Sequence, residues 1–148
     1  MRPDNLPEDT APEDLNWPET LRITISSPEE AAERAIAAAE AAERGEQSPA
    51  TISFASANKL RKLLTDRRFE IIRSLMDEPA DSISDLAERL DRSYSVVHED
   101  VEVLAEYGIV QFRSDRRDRA PFVPYEAIEL DVTIRGTQAE DADAEAVT

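Results

Sequence analysis

The chain has no cysteine and a single histidine, so no disulfide framework can form and a conventional structural zinc site lacks its ligands. Three glycines do not make the Gly-rich loop that cradles phosphates. No apolar run approaches the length of a membrane span. No charged-then-apolar start ends in a small-residue cleavage site, so no secretory signal is expected. A nucleophile–base pair and a metal-ligating cluster are both missing from the pattern, which points away from an enzyme and from any cofactor. Together these absences lead to the expectation of a cytoplasmic protein without membrane contact.

What is present is acid. The 148 residues, enough for one domain of ordinary size, carry a net charge of −16, which by itself opposes binding to phosphate-rich nucleic acid. The bases, however, are 15 arginines and only 2 lysines. Arginine bias with dispersed Asp and Glu resembles the proteins of extreme halophiles, where surface charge maintains hydration and solubility. At about 1 M salt the Debye length is roughly 3 Å, so position matters more than sum. Residues 1–50 hold 12 acids against 4 bases, residues 51–125 hold 14 against 12, and residues 126–148 hold 7 against 1. The near-neutral middle is the candidate working part.

Residues 1–19, rich in Pro, Asp and Glu, read as a disordered acidic arm. Residues 20–50 read as a strand-helix extension. Leu21 to Ile25 alternates apolar and polar, and Ser27, Pro28 and Glu30 form a helix start. That Ala-rich helix runs to Arg44, stops at Gly45, and either packs on a partner helix or lies in solvent. Ile52 to Phe54 suggests a short strand. Two amphipathic helices follow, marked by Leu60, Leu63 and Leu64, then by Phe69, Ile72, Leu75 and Met76 with Ile71 alongside. Ile128, Leu130, Val132 and Ile134 alternate with polar residues as a strand with one buried face. Residues 135–148 read as an acidic disordered tail.

The informative stretch is Asp81 to Val110. Ser82-Ile83-Ser84-Asp85 opens a two-turn helix, the chain breaks at Asp91-Arg92, and Ser93 caps a second helix over 93–107 that Gly108 closes. On it Val97, Val101, Leu104 and Gly108 fall within about 60° of one another at 100° per residue. Val110 to Arg113 and Phe122 to Pro124 then read as two strands around a polar tip. Helix, tight turn, helix and hairpin make the sequence form of a winged helix-turn-helix, although a plain helical hairpin shares the periodicity. The expected fold class is α+β, mainly helical: a winged helix-turn-helix domain over 51–134 with an N-terminal strand-helix extension and acidic disordered ends.

These residues, with Val97-His98-Glu99-Asp100-Val101, Leu104-Ala105-Glu106-Tyr107-Gly108-Ile109-Val110 and Pro121-Phe122-Val123-Pro124-Tyr125, resemble the winged helix-turn-helix DNA-binding regulators of haloarchaea, relatives of MarR- and ArsR-type repressors. The resemblance implies a transcriptional regulator, in some relatives the DNA-binding antitoxin of a toxin–antitoxin pair. It covers 51–134 and leaves the first 20 residues poorly matched.

On this reading the 93–107 helix enters the major groove with Ser93, Tyr94, Ser95, His98 and Glu99 near base edges. Arg113, Arg116, Arg117 and Arg119 on the hairpin meet the backbone or the minor groove, unless the tip is merely a solvated turn. Arg92, and less strongly Arg89, take phosphates at the turn. Lys59, Arg61, Lys62, Arg67 and Arg68 form a basic cluster expected to be mostly a solvated face. Glu99, Glu102 and Glu106 on the outward face are awkward for a helix near phosphates. The expected partners are double-stranded DNA and a second copy of the chain, since one such module makes few contacts alone. A protein-interaction module, with a toxin-like partner, is the alternative.

Overall fold

The computed structural model describes residues 11–46, 50–115, 119–134 and 136. The protein is α+β. After a short 3-10 turn at Pro12–Asp14 come β1 (Thr20–Ile25), α1 (Pro28–Glu43), β2 (Ala50–Phe54), α2 (Ala57–Leu63), α3 (Asp66–Asp77), α4 (Ile83–Leu90), α5 (Tyr94–Glu106), β3 (Gln111–Arg113), β4 (Ala120–Phe122) and β5 (Ala127–Asp131). Among the described residues no helix is long and apolar enough to cross a membrane.

β1 lies between β2 and β5, and both pairings are parallel. Parallel neighbours require a long crossover, and between β1 and β2 that crossover is α1. Its start follows from local chemistry: the Ser27 Oγ accepts the Glu30 N–H at 3.1 Å and Pro28 occupies the first turn. Gly45, at φ 77°, ends it. Alanines give α1 high helical propensity but little to bury. Only Ala41 is buried, while Ile36 is 60% exposed. The Ala-rich helix is thus a crossover within the sheet unit.

The other side of the sheet makes the core. Leu21, Ile23 and Phe54 pack in one cluster with Leu60, Leu63, Ile71, Leu75, Leu86, Val97, Val101, Leu104, Ile109 and Val110. The domain boundary expected after residue 50 therefore falls inside β2, and the 20–50 segment is part of the body rather than an appendage. Two further expectations change. Phe69 is exposed at the edge of α3, whose core face is Ile71, Ile72 and Leu75. The last strand stops at Asp131, opposite Thr24 near the end of β1, so Val132 and Ile134 have no strand partner to cover them, and Ile134 is 92% exposed.

Residues 11–19 are also not the free arm that their composition suggests. The Trp17 Nε1 donates to the Pro12 carbonyl at 2.7 Å, and its ring meets Tyr125 edge-on with centroids 5.8 Å apart. Glu13 reaches the β3–β4 hairpin, accepting the Ser114 N–H at 2.9 Å and 3.0 Å, the Ser114 hydroxyl at 3.0 Å and 3.2 Å, and the Asp115 N–H at 3.3 Å. A few apolar anchors and one carboxylate hold down a segment that is otherwise too polar to fold. Residues 1–10 and the acidic tail expected over 135–148, apart from Gly136, lie outside the described residues.

The docking is pH-dependent. Desolvation acts to raise the Glu13 pKa, but the Ser114 and Asp115 donors outweigh it and hold the carboxyl below its ordinary value of 4.5. A folded value below the unfolded one means that the contact is complete above pH 4.5 and is lost as pH falls through the folded pKa. The Ser114 and Asp115 amide resonances should therefore titrate with a midpoint below 4.5, and Glu13→Gln should abolish that titration. At the other extreme, burial pushes the Tyr125 phenol up to about 12 from 10.0. Its contribution to stability is present below pH 10.0 and is lost as pH rises towards the folded value.

Candidate nucleic-acid interface

α4 begins where the Ser82 Oγ accepts the Asp85 N–H at 3.0 Å. It ends at Asp91, whose φ of 54° lies in the left-handed region that Asp tolerates better than most residues. The Arg92 N–H then returns to the Ala87 carbonyl at 3.0 Å. This closes the turn and launches α5 in a new direction. α5 buries Val97, Val101 and Leu104, and Gly108 at φ 81° turns the chain into β3. Ser93 stands at the N-cap position, but its side chain makes no capping bond. The expected cap is absent and the hydroxyl is not committed to the helix.

The outer face of the first turns of α5 gathers five of the expected residues. Ser93, Tyr94, Ser95 and Glu99 are exposed and His98 is half-buried. The Tyr94 and His98 rings lie 5.5 Å apart, tilted by 33°. Beside them runs the hairpin, with Phe112 opposite Pro121 and Arg113 opposite Ala120. Arg119, at the start of the return strand, forms an ion pair with Glu102 on α5. Its guanidinium sits 4.0 Å from the centroid of the Phe112 ring, an attractive cation–π arrangement. The His98 Nε2 is 3.6 Å from the same Glu102 carboxylate. One of the awkward glutamates is therefore answered by the hairpin.

The other expected arginines among the described residues are engaged elsewhere. Arg92 pairs with Glu70 and donates to the Arg67 carbonyl at 3.1 Å, so it ties the turn to α3. Arg113 donates to the Ala80 carbonyl at 3.2 Å and pairs with Asp81 at 3.4 Å, fastening β3 to the loop before α4. Arg89 donates to the Glu78 carbonyl at 2.8 Å and to the Pro79 carbonyl at 3.2 Å, beyond the end of α3. These side chains are structural clamps, because a guanidinium with several donors satisfies carbonyls that a helix end leaves open. Arg116 and Arg117 lie outside the described residues. Among the described residues no group of three or more His, Cys, Asp or Glu is placed to hold a metal ion.

One residue that positions the site went unread. Asp100, on the inner side of α5, has a side chain only 2% exposed. The Arg68 Nε donates to its Oδ1 at 3.0 Å, and Arg67 approaches Oδ2 at 3.6 Å. Arg68 also donates to the carbonyls of Lys62 at 2.8 Å and Leu63 at 3.0 Å. α2, α3 and α5 are thereby joined at one point. The signal was present: at helical spacing Asp100 falls beside the Val97–Val101–Leu104 stripe, and a carboxylate there demands a base. The basic cluster expected on a solvated face contains that base.

Similarity to known proteins begins where this arrangement begins. Residues 63–130 match the family described as HVO_A0114. The matched span takes in α3 through β4 and most of β5, while β1, α1 and β2 lie outside it. No curated protein and no solved structure matches the chain.

Breaking a buried ion pair by removing one partner typically costs about 3–5 kcal/mol, whereas exposed pairs contribute about 1 kcal/mol or less. Asp100→Ala should therefore lower the unfolding free energy by about 3 kcal/mol. Arg67→Ala, with its side chain 58% exposed, should cost about 1 kcal/mol or less. Guanidinium chloride titrations checked by circular dichroism would show the difference; similar losses for the two would refute the assignment.

Proposed function

We propose that this protein is a double-stranded DNA-binding transcriptional regulator of the winged helix-turn-helix type, with α4 and α5 as the helix pair and β3–β4 as the wing. The first turns of α5 offer Ser93, Tyr94, Ser95, His98 and Glu99 to the major groove, where hydroxyl, imidazole and carboxylate groups can read base edges. The contact between Arg119 and Glu102 carries this reading, because it sets the hairpin along the exposed side of α5 and neutralises a carboxylate that phosphates would repel. A second feature supports it. The Ser114 and Asp115 amides already hold an oxyanion, the carboxylate of Glu13, and phosphate oxygens have the same chemistry.

The active form on this proposal is a homodimer, since paired half-sites require two modules at a fixed spacing. The exposed Leu130, Val132 and Ile134 on and just beyond edge strand β5 offer apolar surface for it. A cytoplasmic location goes with this role. The alternative is a winged-helix module whose partner is a protein, as for an antitoxin. It is favoured by one observation: Arg92, Arg113 and Arg119 each already face a carboxylate.

Titration of labelled genomic fragments in molar KCl separates the two. DNA binding should weaken about tenfold or more in the Tyr94→Ala, His98→Ala double variant, with relaxed sequence preference. Arg116→Ala with Arg117→Ala should lower the slope of log affinity against log salt by about 2. Absence of binding to every fragment would overturn the DNA reading and favour the protein partner.

A further inference from the structure

The face of the sheet opposite the core is where the molecule departs most from ordinary packing. Between α1 and this face lies a half-open cavity of about 530 Å³, lined by Arg22, Arg34, Thr51, Ser53 and alanines of α1. That volume lies within the range of small-molecule sites, roughly 300–1,000 Å³. It exists because α1 presents Ala31, Ala35 and Ala38 where a helix packed on a sheet normally presents large apolar side chains. The sheet answers with polar groups instead of filling the gap. Arg22 and Thr51 are register partners on adjacent strands and so stand side by side.

The charge in this cavity is the informative part. In a chain with 33 acids against 17 bases, the well-buried guanidiniums of Arg68, Arg92 and Arg113 each face a carboxylate. Arg22 and Arg34 are half-buried, and neither forms an ion pair among the described residues. The Arg22 Nε is buried with no hydrogen-bond partner. Arg34 donates through one nitrogen to the Ser53 Oγ at 2.8 Å and the Ser26 Oγ at 3.5 Å, which orients the group without neutralising it. Glu129, the register partner of Arg22 on β5, is exposed and makes no ion pair with it. Two guanidiniums beside an alanine wall, neither with a carboxylate partner among the described residues and one oriented by serines, suit one class of ligand.

We propose that this cavity binds a small organic anion, a carboxylate or a phosphate ester with a short apolar body, held by Arg22 and Arg34. Arginine forks match both oxyanions through paired N–H donors, and the alanines of α1 contact the carbon skeleton. The site lies in the part of the fold outside the family match, and its occupancy is measurable without DNA. It stands or falls separately from the proposed regulatory role.

The test is isothermal titration calorimetry on the full chain at constant molar KCl, with glutarate, glycerol 3-phosphate, inorganic phosphate and glycerol as probes. Saturable one-to-one binding of glutarate, glycerol 3-phosphate or both, with no heat from glycerol, is expected, and the preference between them identifies the oxyanion. Arg34→Gln and Arg22→Gln should each weaken that binding about tenfold or more, as loss of a charge-assisted contact does. Lys59→Gln, on the exposed side of α2, should leave it unchanged. Arg34 is half-exposed on a helix with high intrinsic propensity, so its variant should retain the native circular dichroism spectrum. No saturable binding of either organic anion, binding of inorganic phosphate alone, or equal affinity in a folded Arg34→Gln protein would overturn the proposal.

Discussion

The carboxylate of Asp100, sunk into the inner side of α5 and gripped by Arg68, is the interaction on which the rest of the structure depends. A charge removed from water this far is costly unless another charge and further hydrogen bonds meet it. Arg68 meets it, and its remaining donors satisfy the carbonyls at the end of α2. The apolar stripe of α5 sets how deeply the helix packs, but such a stripe tolerates sliding and rotation. The Arg68–Asp100 contact adds a directional link to that stripe and ties α5 to α2 and α3 at one point.

The same logic recurs at the surface. Arginine is used here as a connector: Arg92 joins the interhelical turn to α3, Arg113 joins the hairpin to the loop before α4, and Arg89 closes the far end of α3. Each places a planar group with several donors where backbone carbonyls and an acid converge. Lysine, with its compact and strongly hydrated ammonium, is poorly suited to this task. The scarcity of lysine therefore has a structural counterpart within the fold. It also explains why counting arginines near the turn and the hairpin overstated the number available for another molecule.

Much of the architecture was legible because it rests on local rules. The capping residues Ser27 and Ser82 do what their positions suggest, and Gly108 lies at positive φ where α5 must end. The 3.6-residue period of Val97, Val101 and Leu104 placed that helix correctly. What could not be read depended on partners far away in the chain. Nothing local in β1 or β2 states that they run parallel, nor that an acid at position 13 will meet amides at 114 and 115. Asp100 is the intermediate case, since helical spacing sets it beside the apolar stripe while its partner lies 32 residues away. At the candidate interface, position in the first turns of the 93–107 helix singled out Tyr94, Ser95 and His98. It could not distinguish arginines that project from arginines that clamp.

The central position of β1 bears on how the protein is made. Thr20 pairs with Ala127, so one edge of β1 waits for a segment synthesised much later. At roughly 5–20 residues per second of synthesis, that interval is on the order of ten seconds. Throughout it the nascent chain carries a bare strand edge, the kind of surface that invites pairing with a neighbour. The acids on either side of it, Glu19 before and Glu29 and Glu30 after, then oppose such pairing through like-charge repulsion.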